Sequence, residues 1–274
     1  MRPDKIPEPS AEELSALDRD IRFLPSETEN LNWLARNQVD QFNKQGFLAP
    51  FEGLSRTETV GLRNYFDGML DAFRNLGRSS YSINTAHLRF ARVYELMSHS
   101  AILNPVSDLL GPNVVAWGAH FFCKLPKDGK RVPWHQDALY WPITPTKTVT
   151  VWLAIDDTDP DNANMQFIPR SHLHGVIDFD NIDDEYAVLK LQARNPEEYG
   201  DPPFDNILRA GQFSIHSDLL LHGSEANESD RRRCGLTLRY ASAEVKAYHD
   251  WHYKGFLVKG EDKEGNWANL TCPE

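Results

Sequence analysis

Cysteine is scarce: Cys123, Cys234 and Cys272 are the three in 274 residues. Their odd number and wide, irregular gaps make no disulfide framework, and with no CxxC pair there is no zinc ribbon. A reducing compartment is the simpler expectation. Basic residues are outnumbered, with 29 Lys and Arg against 40 Asp and Glu, giving a net charge of −11. Such a chain repels phosphate backbones at long range, which argues against non-specific nucleic-acid binding but leaves room for a local basic pocket for a small anion. Long apolar runs are missing too. The longest, around Val149 to Ile155, is interrupted by Thr150 and too short to span a bilayer. The opening MRPDKIPEPS has no apolar signal core. There is no internal repeat and no low-complexity tract. The expectation is a soluble, cytoplasmic protein with neither membrane nor nucleic acid as partner.

Hydrophobic residues make up 41% and aromatics 11% of the chain, ample for a buried core and unlike a disordered composition. We read residues 1–274 as one domain, with 1–80 as an N-terminal helical flank. A polar, proline-marked start carries a short helix near Ala11–Asp20, and a second helix is expected from Leu31 to about Asn43, ended by Gly46. The clearest helix runs from Arg56 to Leu76. Ser55 and Glu58 form a capping-box pattern. Leu62, Tyr65, Phe66, Met69, Leu70 and Phe73 recur on one face, and Gly77 follows where a C-terminal cap belongs. A shorter helix is expected around Ala101–Leu110. From residue 113 β-branched and aromatic runs alternate with Pro, Gly and Asn turns. The candidate strands are Val114–Lys124, Thr148–Ile155, Met165–Ile168, Gln212–His216, Leu219–His222 and Cys234–Ala241. Helices gathered before strands suggest a mainly β sandwich or barrel with flanking helices. The acidic, polar stretch Phe179–Pro203 reads as a long insertion of the kind that forms lids or binding loops.

Most of the ten histidines stand in polar or turn-like contexts. The informative stretch is Val132-Pro133-Trp134-His135-Gln136-Asp137. In extended backbone, residues two apart share a face, so His135 and Asp137 can reach one ion together. A lone His-x-Asp is common by chance. A third candidate, His222, closes the apolar run Leu219-Leu220-Leu221, where a buried imidazole costs desolvation unless something binds it. Two histidines and one carboxylate on one side of a metal leave positions open on the other, as in non-haem Fe(II) oxygenases.

The strand beginning at Arg233 alternates. Cys234, Leu236, Leu238 and Tyr240 form one face, and Arg233, Gly235, Thr237 and Arg239 the other. If His222 ends one strand and Arg233 begins its hairpin partner, both lie near one rim. Arg233 is then placed to hold the far carboxylate of a small diacid whose near end chelates the metal. Gly235 and Thr237 are small enough to leave room for that ligand. The alternative is that Arg231, Arg232 and Arg233 are a solvated charge run. In Thr148–Ile155, Val149, Val151, Leu153 and Ile155 read as sheet packing. Thr148, Thr150, Trp152 and Ala154 share the other face, which either lines a cavity or forms a second core layer.

The stretch from His87 to Asp137, with HLRFARVYELMSHSAILNPVSDLLGPNVVAW and VPWHQDALYW, resembles bacterial members of the phytanoyl-CoA dioxygenase family. So do NMQFIPRSHLHG and SDLLLHGSEANESDRRRCGLTLRY, and the resemblance covers roughly residues 85–260. It implies a double-stranded β-helix (jelly-roll, cupin-like) catalytic core over 85–260 that uses Fe(II), 2-oxoglutarate and O2, with ascorbate helpful in vitro. It carries the metal ligands onto His135, Asp137 and His222. It carries the arginine that pairs with the distal carboxylate of 2-oxoglutarate onto Arg233, and an assisting hydroxyl onto Ser224. Gln136 and Trp152 fall near cosubstrate contacts in relatives, and Trp117 lies on a strand that contributes another. The Ala91-Arg92-Val93 part departs from the more apolar family pattern, so Arg89 and Arg92 are expected to face substrate together with His120, while Tyr140 and Trp141 wall the pocket.

The implied activity is hydroxylation of a small molecule with release of succinate and CO2. Halogenating relatives have a small residue at the carboxylate position, so Asp137 favours oxygen insertion, with desaturation or ring chemistry left open because substrate placement can divert the same oxidant. The substrate is not legible; a small anionic metabolite such as an aminoalkyl phosphonate is one option. Two other readings stay open: a cupin-like metal-dependent isomerase or hydrolase that does not use 2-oxoglutarate, and a non-catalytic binding protein of the same fold.

Overall fold

The computed structural model describes residues 6–274. The helices come first. Helix α1 (Ala11–Ser15) is shorter than expected and is capped by Ser10, whose hydroxyl accepts from the Glu13 N–H. Helix α2 (Arg36–Gln45) starts at Arg36 rather than Leu31. The reason is Asp108, whose buried carboxylate accepts the N–H groups of Asn32, Trp33 and Leu34 and so holds that segment outside the helix. Gly46, at φ +86°, ends α2. Helix α3 (Arg56–Asn75) has the expected Ser55–Glu58 capping box and buries Leu62, Phe66, Met69 and Leu70. Helices α4 (Ala91–Leu96) and α5 (Ser100–Leu110) follow.

The strands run in chain order as β1 (Phe47–Glu52), β2 (Val114–Lys124), β3 (Val132–His135), β4 (Ile143–Thr144), β5 (Thr148–Ala154), β6 (Gln166–Phe167), β7 (Phe179–Asn181), β8 (Leu191–Ala193), β9 (Phe204–Asp205), β10 (Gln212–Ser217), β11 (His222–Ser224), β12 (Arg233–Ser242), β13 (Lys246–Ala247) and β14 (Phe256–Lys259). A major sheet has the order β1-β10-β5-β12-β2-β14, and a minor sheet the order β3-β11-β6-β9. Every pairing within them is antiparallel. The flank is therefore not wholly helical, because β1 pairs with β10 at the edge of the major sheet. Its Pro50 lies inside a register shift between Leu48 and Phe51, the edge-and-bulge position where a missing N–H is tolerated. The acidic insertion folds into the β7–β8 hairpin.

The two faces of β5 separate as expected. Val149, Val151, Leu153 and Ile155 join the main core with Phe66, Met69, Leu70 and Val106 of the helices. Trp152 and Ala154 face inward and pack with Phe167 of the minor sheet and Leu220. The helices thus seal the outside of the major sheet, and the space between the sheets is left for a site.

Candidate active site

The minor sheet brings the two histidines together. His222 is the cross-strand neighbour of His135, and the ring centroids are 4.1 Å apart. The apolar run before His222 is not a strand: Leu219–Leu221 are fully buried within a turn, and β11 begins only at His222. Gln136 stays extended at φ −109°, ψ 130°, and Asp137 opens a 3-10 turn. Ligand atoms of His135, Asp137 and His222 lie within 4.8 Å of one another, and Nε2 of His135 is 3.8 Å from Oδ1 of Asp137.

Both imidazoles are oriented alike. Nδ1 of His135 donates to the Pro133 carbonyl at 2.9 Å, and Nδ1 of His222 to the Leu220 carbonyl at 2.9 Å. Each Nε2 therefore keeps its lone pair for an ion. Thr150 Oγ1 donates to Oδ2 of Asp137 at 3.2 Å. Burial, and then His222, push His135 down to about 3. Burial alone would raise the Asp137 carboxyl, but the Arg239 guanidinium and the neighbouring histidines hold it below the ordinary range. Two imidazoles that both turn Nε2 toward one carboxylate fit a divalent iron with positions left open.

Arg233 faces the three from the major sheet. It is not in a hairpin with His222, because β11 pairs with β3 and β6 while β12 pairs with β2 and β5. The two residues meet across the inter-sheet space, in a narrow cleft of about 40 Å³ also lined by Ser224, Trp152 and Thr150. Arg233 is buried, its Nε donates to the Ala163 carbonyl at 2.9 Å, and its guanidinium lies 5.3 Å from the Trp152 ring. The three consecutive arginines divide. Arg231 pairs with Asp159 and Asp161, Arg232 with Asp67 and Asp156, and Arg233 turns inward. Gly235 does not leave room for a ligand, because the Trp152 indole already fills the space above it.

Gln136 does not reach the cleft. Its Nε2 donates to the Gly175 and Leu219 carbonyls and its Oε1 accepts from the Ile177 N–H, so it ties the ligand strand to its surroundings. Two cleft residues, and one behind the cleft, escaped the sequence reading as contributors. The His216 ring lies 4.8 Å from that of His222, tilted by 54°. Arg239 shares the inward face of β12 with Arg233. Behind the cleft, buried Lys124 donates to the Ser224, Glu225 and Lys130 carbonyls. The signal for Arg239 was the strand alternation itself; for His216 and Lys124 there was none.

On the other side of the three candidate ligands lies an outer cavity of about 380 Å³, bordered by His135, Asp137 and Arg239. Trp117, His120, Tyr140 and Trp141 wall it, as do Val188 and Leu189 of the acidic insertion. Trp117 thus belongs to this cavity rather than to the inner cleft. Arg89 and Arg92 do not face it. Arg89 donates to the Asn84 carbonyl and lies over Phe73 and Phe90, while Arg92 lies over Tyr65 on the helical exterior near Glu58 and Glu95. Residues 89 and 92 stand on the turn leading into α4 and within α4, and that helix packs outside the major sheet.

The sequence pattern described as phytanoyl-CoA dioxygenase (PhyH) matches residues 42–235. The chain belongs to this family. A probable alpha-ketoglutarate-dependent hypophosphite dioxygenase of Stutzerimonas stutzeri is 29% identical over 165 residues, covering 60% of this chain and 57% of the relative. The peroxisomal phytanoyl-CoA dioxygenase of Rattus norvegicus is 26% identical over 232 residues, covering 80% of this chain and 67% of the relative. The matches thus span between about half and two thirds of these curated relatives. Among solved structures, the non-heme monooxygenase ThoJ superposes with a TM-score of 0.70 at 26% identity, covering 86% of this chain and 88% of that one. The fold is the double-stranded β-helix, and the family places the chain among the 2-oxoglutarate-dependent non-haem iron oxygenases. No helix among the described residues is long and apolar enough to cross a membrane.

Proposed function

We propose that the protein is an Fe(II)- and 2-oxoglutarate-dependent dioxygenase that hydroxylates a small molecule held in the outer cavity, releasing succinate and CO2. The observation that carries this reading is the convergence of His135, Asp137 and His222 within 4.8 Å, both imidazoles locked through Nδ1. These three residues would hold the iron. When bound, the ion couples oxidative decarboxylation of 2-oxoglutarate to oxygen insertion into the substrate.

The chain's own residues do the rest. Arg233 takes the distal carboxylate of 2-oxoglutarate, with the Trp152 face and the Ala163 carbonyl fixing the plane of its fork. Ser224 adds a hydroxyl beside it. Thr150 keeps Asp137 turned toward the ion. Gln136 acts as a positioning residue that holds His135 and Asp137 in register. Trp117, Tyr140 and Trp141 exclude water from the substrate side. The reading of the chain as one domain is supported by the bonds that Trp251 and Lys254 make to the Pro7 carbonyl and Glu8. Cys123, Cys234 and Cys272 are free thiols, in keeping with a cytoplasmic setting.

The test is succinate formation. Purified protein supplied with Fe(II), ascorbate and 2-oxoglutarate should release succinate, and a screen of small metabolites should find compounds that accelerate it. Asp137→Ala, His135→Ala and His222→Ala should each abolish product. Wild-type-like product from Asp137→Ala would remove Asp137 from the ligand set. Turnover that persists without 2-oxoglutarate would favour the isomerase or hydrolase reading. Absence of metal-dependent 2-oxoglutarate binding by calorimetry would favour a binding protein.

A further inference from the structure

We infer that Arg239 anchors an acidic head group on the primary substrate, so that the substrate is a small organic acid with an apolar body. The head group is a carboxylate, a phosphonate or a related oxyanion. This inference rests on the oxygenase reading above and deepens it.

Arg239 and Arg233 lie on the same face of β12, six residues apart, which is about 20 Å along an extended strand. The two ends serve different spaces. Arg233 borders only the inner cleft, whereas Arg239 borders both that cleft and the outer cavity. A molecule filling the outer cavity therefore meets Arg239 and not Arg233.

The guanidinium of Arg239 lacks what its neighbours have. Arg231 and Arg232 each engage two aspartates. Arg239 forms no ion pair among the described residues, and its Nε is shielded from water with no acceptor. A buried donor without an acceptor carries an uncompensated desolvation cost, larger for a charged group. Its electrostatic neighbours are Asp137 and Glu8. Asp137 belongs to the metal set, and Glu8 pairs with Lys254 at 3.2 Å. With the Asp137 charge engaged by a cation, the Arg239 charge is left uncompensated, and an anionic substrate restores the balance.

The surroundings hold the group in place for that task. Its guanidinium carbon lies 4.9 Å from the Trp141 ring centroid and 5.9 Å from that of Trp117. Opposite it on β2 is Gly118, where a Cβ would stand 3.0 Å from Arg239 Cδ, so the absence of a side chain there admits the arginine stem. The Trp117 Nε1 also lacks an acceptor and borders the same cavity. Two donors without partners, set among tryptophan faces in about 380 Å³, suit an acid with an apolar body.

The test compares matched probes by calorimetry on the anaerobic Fe(II)–2-oxoglutarate complex: benzoate and phenylphosphonate against neutral benzamide. Wild type should bind at least one acid roughly tenfold to a hundredfold more tightly than the amide, the range of one charge-assisted pair. R239Q should lose that preference, and R239K should keep part of it. R239Q should also bind 2-oxoglutarate within a few-fold of wild type, whereas R233Q should bind it far more weakly and still prefer the acid. Equal affinity of wild type for acid and amide, or binding of neither acid, overturns the inference. So does loss of 2-oxoglutarate binding in R239Q matching that in R233Q, which would assign Arg239 to the cosubstrate. Failure of wild type to bind 2-oxoglutarate would instead sink the oxygenase reading, while an Arg239-dependent acid preference would survive it.

Discussion

Gly235→Ala is the most informative small change. An ideal Cβ at residue 235 would stand 2.0, 2.3 and 2.5 Å from three carbons of the Trp152 indole. Carbon atoms prefer about 3.5–4.0 Å, so the ring must retreat by roughly 1.5 Å. It has little room: Trp152 is 2% exposed and is packed against Ala154, Met165 and Phe167. Overpacking of this kind costs about 1–3 kcal/mol. The indole is also a face on which the Arg233 guanidinium rests, 5.3 Å away. Moving it tilts the fork proposed to receive 2-oxoglutarate, and a misplacement of about 1 Å costs on the order of 100-fold. We therefore expect the KM for 2-oxoglutarate to rise by one to two orders of magnitude, together with a drop of several degrees in Tm. Steady-state succinate assays and thermal melts read both. Trp152→Leu in the same chain should restore Tm by relieving the clash, giving a coupling that a double-mutant cycle measures. Gly68→Ala is the control, since it lies exposed in α3 with open space around a new methyl, and helix propensity predicts a slight gain in stability. A Gly235→Ala protein with unchanged Tm and a KM within threefold of wild type would refute the reasoning.

Thr150→Val removes the hydroxyl bonded to Asp137 at 3.2 Å while keeping the shape. Iron affinity should fall about 10- to 100-fold, measured by metal titration, with the 2-oxoglutarate affinity of the loaded protein little changed. Gln136→Leu strands the Gly175 and Leu219 carbonyls and the Ile177 N–H. Urea unfolding should show a loss of about 2–4 kcal/mol, and a loss below 1 kcal/mol would contradict its role as a tie. Burial pushes His120 and His172 down to about 4, whereas an unfolded imidazole takes its proton near 6.5. Between those values the unfolded state binds more protons. Stability is therefore flat above that window and falls as pH drops through it, by up to about 1.4 kcal/mol per pH unit for each histidine. Urea midpoints across pH 4–8 check this, and His172→Gln should flatten the slope.

The parts of this fold legible in the sequence were those with a local period. The alternation of β12 and β5 separated inward from outward residues because each strand has one face on the helical core and one on the inter-sheet space. The Ser55–Glu58 box fixed the start of α3 for the same local reason. What failed was set by distant partners. The Leu219–Leu221 run gives no period because all three side chains are buried inside a turn, and a short apolar run cannot distinguish a strand from that. The start of α2 was moved by a carboxylate more than seventy residues away. Strand β1 was hidden by Pro50 at a sheet edge. The candidate metal residues were legible through His-x-Asp and the closing histidine, and the fold brings their ligand atoms together. The carbonyls that orient the two imidazoles stand only two residues back in the chain, whereas the Thr150 bond to Asp137 and the meeting of His135 with His222 are invisible until β3, β5 and β11 are assembled.

Strand β12 works as a ruler. Arg233 and Arg239, the proposed anchors for the keto acid and for a second acid, hang from one extended backbone, so their separation is fixed by its pitch and does not respond to loop length. On that proposal, replacing the side chain at the 239 end should retune what is accepted while the 233 end keeps its place. Slipping β12 by a single residue against β2 and β5 would turn both arginines toward the helices at once and silence both pockets together.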